Sequence, residues 1–214
     1  MSASRRLSTI RATTDQDNNI VLAPDAPTAT VVFLHGLGDT GHGWSDTMAM
    51  LAKGLPHVKF ILPTAASIPV TLNMGMRMPA WYDIKSLARV SGDNADGVDS
   101  SRDRIMALIE KEPDIKTVCN AARLNDGCNV CLLIRSQAFA FAPETADVPL
   151  LMCHGEADPV VRFEFGKMSK EKLAEAGVKD IEFHSYPDME HGACMEELDD
   201  VTKWLQRVIP DTQS

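Results

Sequence analysis

Three short stretches of this sequence carry groups that could move a proton or stabilise a developing negative charge. Asp158 stands in the turn His154-Gly-Glu-Ala-Asp158-Pro159, and His191 in a later turn that also holds Pro187. One helical pattern and one strand pattern separate them. If both turns follow strands of a parallel sheet, they open on the same edge, where the carboxyl ends of the strands lie. An Asp carboxylate there can orient an imidazole and stabilise its protonated form. The third stretch, His35-Gly-Leu-Gly-Asp39, is a Gly-rich turn after an apolar run, able to aim a backbone N–H at an oxyanion. Taken singly, a His in a turn or an Asp before Pro is ordinary. Together they make an acyl-transfer set without its nucleophile.

The elements that would position these turns alternate between strand and helix, which predicts a parallel sheet with helices on its faces. Thr30-Val-Val-Phe-Leu34 is a continuous apolar run of the kind found in strands buried on both faces, and Val58 to Leu62 is a second, stopped by Pro63. Between them Trp44, Met48, Leu51 and Leu55 recur at helical spacing. Residues 63–83, with Pro63, Pro69 and Pro79, are expected to be a long surface excursion without regular structure. Asp99, Ser100 and Ser101 are candidate N-caps for a helix carrying Ile105, Leu108 and Ile109 on one face and ending at Pro113. Leu150 to Cys153 predicts another buried strand, Arg162 to Ala176 a helix closed at Gly177, and Ile181, Phe183 and Ser185 a half-buried strand. Leu198, Val201, Leu205 and Val208 form the apolar stripe of a last helix. Between Asp114 and Ala142 only Cys128 to Ile134 reads as a strand.

Composition narrows the classes. The chain has 214 residues, enough for one domain with a real core, and its 30 acidic against 21 basic residues give a net charge of −9. With no concentrated basic face, nucleic acid is excluded as a partner. No apolar stretch approaches the ~20 residues needed to cross a bilayer. Five cysteines, an odd number, fit a reducing compartment better than a disulfide framework, and place the chain in the cytoplasm. Met1 to Thr14, with Arg5, Arg6 and Arg11 and no acid, has the composition of a short organelle transit peptide, but reads better as a frayed polar terminus. Cys128-Asn-Val-Cys131 lacks a second pair for zinc and lies within an apolar run rather than at a helix start, so it reads as two buried thiols. His154 and Cys194 likewise read as structural, and neither a metal nor a cofactor is expected.

Longer motifs carry a family resemblance. Phe33-Leu-His-Gly-Leu-Gly-Asp39 with Trp44 resembles the start of the small acyl-protein thioesterases and related carboxylesterases (lysophospholipases) of the α/β-hydrolase fold. So do Ile61-Leu-Pro-Thr-Ala65, then Pro69-Val-Thr71, Asn73, Gly75, Met78 and Trp81-Tyr-Asp83. Cys153-His-Gly-Glu-Ala-Asp158-Pro-Val-Val161 and Tyr186-Pro-Asp-Met-Glu-His191-Gly192 resemble that family's Asp and His segments. The resemblance implies His191 as general base, Asp158 as its orienting acid, the Leu37 backbone N–H as oxyanion donor, and Leu72, Met74 and Trp81 as lining of an acyl-chain groove. It implies S-acylated proteins, small acyl esters or lysophospholipids as substrates, with transient membrane-surface contact. Residues 1–20 are then a flexible N-terminus, 21–210 one α/β-hydrolase domain and 211–214 a tail.

One departure from the family stands out. Its nucleophile occupies a Gly-Phe-Ser-Gln-Gly-Gly elbow, a strand-to-helix turn that requires glycine two residues to either side. No Ser or Cys of this chain is so flanked: Ser45 has Gly43 but Thr47, Cys153 has Gly155 but Leu151, and Cys194 has Gly192 but Glu196. Ser136-Gln137 repeats the dipeptide after an apolar run, but Arg135 and Ala138 stand where the elbow would need different neighbours, and Pro143 follows too soon for a helix. Ser136 is therefore a poor candidate nucleophile. A deletion near Asp114 accounts for this, since a strand, elbow and helix would take roughly 30 residues. The expected fold is an α/β-hydrolase-like, mostly parallel sheet with helices on both faces, missing one central strand and its following helix. Three readings remain open: an ester or thioester hydrolase, a non-catalytic acyl-chain or lipidated-protein binder, and an inactive splice or gene-model variant.

Overall fold

A computed structural model of the chain describes residues 10–87, 96–112, 118–122 and 148–211. Five strands form its main sheet: β1 (Arg11–Thr14), β2 (Ile20–Ala23), β3 (Ala29–Leu34), β4 (Val58–Leu62) and β7 (Val118–Ala122), in the order β1-β2-β4-β3-β7. β3 runs parallel to both β4 and β7, whereas β1 and β2 add an antiparallel edge. A second, two-stranded parallel sheet pairs β8 (Leu150–Gly155) with β9 (Ile181–Tyr186), Leu150 opposite Ile181 and Gly155 opposite Tyr186.

The period-two geometry of strands explains why β3 is buried at every position. Val31 and Phe33 face one core, with Val58, Phe60 and Leu62 of β4, Met48 and Leu51 of helix α1 (Ser45–Ala52) and Leu205 of the final helix α4 (Met195–Val208). Val32, Leu34 and Ile61 face the other, with Ile105 of α2 (Val98–Ile109), Val70 and Trp81. Helices therefore cover both faces, as the continuous apolar runs require. α3 (Phe163–Glu175) connects β8 to β9 and packs on both, and α4 also contacts β8. The Cys194 thiol caps α4 by accepting the Glu197 N–H at 3.4 Å, while Glu196 and Glu197 in its first turn and Arg207 in its last complement the helix dipole.

Four sequence expectations change. Residues 11–14, assigned to a flexible terminus, pair with β2 as a strand. Residues 63–83 are not an irregular excursion: β5 (Ser67–Val70) and β6 (Met76–Pro79) form an antiparallel hairpin, closed by a 3₁₀ turn at Thr71–Asn73 and by Met74 and Gly75 at φ 55° and 78°. Pro69 and Pro79 obscured the pattern, yet a two-stranded ribbon is all edge and tolerates them. α2 begins at Val98 behind Gly97 (φ 101°), ahead of the expected N-caps, and the Ser101 hydroxyl turns to the Trp81 carbonyl instead. Finally, a strand follows α2: β7 pairs with β3 from Thr30–Val118 to Leu34–Ala122. The side of β3 away from β4 is thus paired, and the cost of an exposed central strand is avoided there. The strand expected at 128–134, with Cys128, Cys131 and Ser136, lies outside the described residues.

Candidate active site

The Gly-rich turn after β3 is built around a fully buried histidine. The Ala65 N–H donates to His35 Nε2 at 2.9 Å, so the ring proton sits on Nδ1, which donates to the Gly36 carbonyl at 2.6 Å. His35 is wholly inaccessible, and burial, the largest influence, lowers its pKa. The ring is therefore neutral and structural. From outside, Trp81 Nε1–H donates to the His35 carbonyl (2.9 Å) and the Gly38 N–H to the Pro79 carbonyl (2.8 Å), tying the turn to the end of the β5–β6 hairpin. The Asp39 N–H closes back on the Gly36 carbonyl at 3.2 Å, with Gly38 at φ 76°, the left-handed conformation that a type II turn demands of its third residue. Leu37 is the other central residue of that turn. Its N–H has no hydrogen-bond partner among the described residues, which leaves it available to an external acceptor.

Asp158 follows β8. Its Oδ1 accepts the Val160 and Val161 N–H groups at 2.8 and 2.9 Å, and its Oδ2 accepts His191 Nδ1–H at 2.8 Å. Burial pushes the carboxyl pKa upward, but the bonds from His191, Val161 and Val160 outweigh it, and the net pKa falls below 3.8. Asp158 is thus a buried carboxylate, ionised at neutral pH, whose lone pairs are directed by the backbone. His191 sits after β9 with 23% of its side chain exposed, and its Nε2 has no partner among the described residues. Nδ1 is taken by Asp158, so Nε2 is the atom left to receive a proton.

A glycine makes this approach possible. A Cβ on Gly155 would lie 2.0 Å from the Met189 carbonyl oxygen and 2.9 Å from that of Glu190, so only glycine lets the His191 turn close onto the end of β8. Sequence reasoning had not singled out Gly155, although its place in a His-Gly dipeptide at a strand end was the available signal.

Asp158 and His191, paired from sequence alone, are in contact. The proposed groove residues take different positions. Trp81 is 5% exposed and has its indole N–H engaged on His35, Leu72 packs against the same core cluster as Leu37, and Met74 at the hairpin turn is 95% exposed. Among the described residues no three His, Cys, Asp or Glu side chains are arranged to hold a metal ion. No helix among them is long and apolar enough to cross a membrane.

Comparison with known proteins gives the family. The family model of phospholipases/carboxylesterases matches residues 16–121 and 127–209. Acyl-protein thioesterase 1 of Mycosarcoma maydis is 38% identical over 223 positions, covering 86% of this chain and 92% of that protein. Its Yarrowia lipolytica counterpart is 37% identical, covering 88% and 96%. The first alignment is longer than this chain, so it crosses positions at which this chain has no residue. The crystal structure of acyl-protein thioesterase 2 from Zea mays superposes with a TM-score of 0.74 at 33% identity, covering 89% of this chain and 98% of that one. The chain belongs to the phospholipase/carboxylesterase family of α/β-hydrolases.

Proposed function

We propose that this protein hydrolyses acyl thioesters and esters, with S-acylated proteins as the principal substrates and small acyl esters or lysophospholipids as others. The observation that carries the proposal is the 2.8 Å contact of His191 Nδ1 with Asp158 Oδ2, which leaves Nε2 of a partly exposed ring without a partner among the described residues. His191 accepts the proton of the attacking O–H while Asp158 stabilises the imidazolium. The Leu37 N–H donates to the carbonyl oxygen as it gains charge. The proton then passes from Nε2 to the departing thiolate or alkoxide, releasing thiol or alcohol. Attack by water yields the carboxylic acid at once, whereas attack by a serine hydroxyl leaves an acyl-enzyme that water, activated by the same His191, hydrolyses to the acid. Leu72, with Met74 and Trp81 at the hairpin, contributes the apolar side of the acyl site, where soft methionine suits a flexible chain. We place this activity in the cytoplasm, with transient contact to membrane surfaces where lipidated substrates reside; an odd number of cysteines, five, fits a reducing setting.

A second reading has its own observation. No Ser or Cys is flanked by glycines at the elbow spacing, which favours a protein that binds acyl chains without turning them over. Two assays separate the readings. Turnover of a palmitoyl-thioester peptide that His191→Ala abolishes supports the hydrolase; binding of that peptide without turnover supports the binder. Fluorophosphonate labelling followed by peptide mapping tests whether Ser136 supplies the attacking hydroxyl. Labelling there that depends on His191 makes it the nucleophile, and turnover without any labelled serine assigns the attack to water.

A further inference from the structure

Next to the Asp158 carboxylate lies a second histidine that the reaction as proposed does not use. His154 is the penultimate residue of β8, and its side chain is completely buried. Its Nε2 lies 2.9 Å from the Val161 carbonyl oxygen, which can only accept, so Nε2 carries the ring proton. Nδ1 is then a lone-pair acceptor, and it has no hydrogen-bond partner among the described residues. A Leu of similar size would fill the space without stranding a buried acceptor. The imidazole is therefore kept at a cost, and the group gained in return is the Nε2–H.

We propose that His154 is a positioning residue for the His191–Asp158 pair, acting through Val161. Val161 is held at both ends: its carbonyl accepts from His154 Nε2–H, and its N–H donates to Asp158 Oδ1 at 2.9 Å. The other carboxylate oxygen, Oδ2, receives His191 Nδ1–H. A single relay thus runs from the buried ring, through one peptide unit and one carboxylate, to the imidazole at the surface. The direct separation of His154 Nε2 from Asp158 Oδ2, 3.9 Å, is too long for a hydrogen bond, so the hold passes through the loop. The start of α3 fixes the ring in turn. Phe163 meets it edge-on at 5.6 Å between centroids, and a Cβ on Gly166 would lie 2.4 Å from Nδ1. Gly166 is therefore the recess in α3 that admits the ring.

This inference rests on the reading of His191 as the base, and its test separates the two. In the full-length chain, His154→Gln keeps an N–H that reaches the Val161 carbonyl, whereas His154→Asn carries its amide one bond too short. Both are followed by turnover of p-nitrophenyl octanoate, by cooperative thermal unfolding and by the proton resonance of His191 Nδ1–H, identified by its loss in His191→Ala. We expect His154→Asn to lower kcat about 10²-fold with KM unchanged and to broaden or shift that resonance. His154→Gln should retain kcat and the resonance. Equal behaviour of the two variants in both measurements overturns the proposal. If His154→Asn does not fold, Gly166→Ala replaces it: the ring is displaced with its donor intact, and an unmoved resonance overturns the proposal. Should the wild type show no turnover while the resonance responds as expected, the positioning role stands and the hydrolase reading falls.

Discussion

His35 and His154 each stand at the carboxyl end of a parallel strand, each precedes glycine, and each is buried, yet they hold their turns by different means. His35 uses both ring nitrogens, and its own carbonyl takes a further bond from Trp81. The Gly-rich turn is thereby tied to residues beyond β4 and to the hairpin, and losing one bond leaves others. His154 makes one ring hydrogen bond, to Val161, and its other nitrogen has no partner among the described residues. His154 therefore holds the Asp158 loop through fewer bonds than His35 holds its turn. His191 begins another His-Gly dipeptide, in the turn after β9, and it differs from both in being partly exposed, with no partner for Nε2 among the described residues. Burial and partner set give the three histidines different surroundings, on which their proposed roles of scaffold, positioning group and base rest.

The largest test of that division is at the reacting pair. His191→Ala and Asp158→Asn should each lower kcat about 10⁴-fold, the first by removing the base and the second by releasing its tautomer. A variant retaining full turnover would remove His191 from the role of base. Asp158 also gives a pH signature. Its folded pKa is below 3.8, so its contribution to stability is present above the unfolded value and is lost as pH falls through the folded one. Asp158→Asn should flatten the acid limb of a denaturation series below about pH 4.

The scaffold histidine should behave otherwise. His35→Leu strands the Ala65 N–H, and we expect a loss of about 1–3 kcal/mol, read as a lower urea midpoint. The folded pKa of His35 is below 6.5, so the unfolded chain takes up a proton that the folded one does not. Stability from this group is complete above pH 6.5 and declines as pH falls toward the folded pKa; His35→Leu should remove that decline. Trp81→Phe deletes one hydrogen bond to the same turn and should cost about 1 kcal/mol. Met74→Ser, at the most exposed of these positions, should change stability by less than about 0.5 kcal/mol, and a larger effect would show that the hairpin turn packs on something.

Much of this site was legible without coordinates. Val58 to Leu62 and Leu150 onward were legible as apolar runs, and Leu198, Val201 and Leu205 as a helical stripe, because each packs on a large apolar surface. Asp158 and His191 could be paired because turns after parallel strands share an edge. The β5–β6 hairpin was hidden by its prolines, and β1 by a polar sequence, Arg-Ala-Thr-Thr, that is exposed throughout. β7 was hidden because Val-Cys-Asn-Ala-Ala carries no alternation and no long apolar run.

The amino-acid order alone determined that an Asp and a His would meet, and that no glycine-flanked Ser or Cys accompanies them. The second is a local fact of which residues are present; the first follows from two consecutive strand–turn units, whose turns share one edge of a parallel sheet. Only the tertiary structure decided the roles of the other histidines. Those depend on which carbonyl, amide or missing Cβ lies against each ring: Ala65 and Trp81 for His35, Val161 and Gly166 for His154. Such partners come from other turns and helices, and no spacing along the chain announces them.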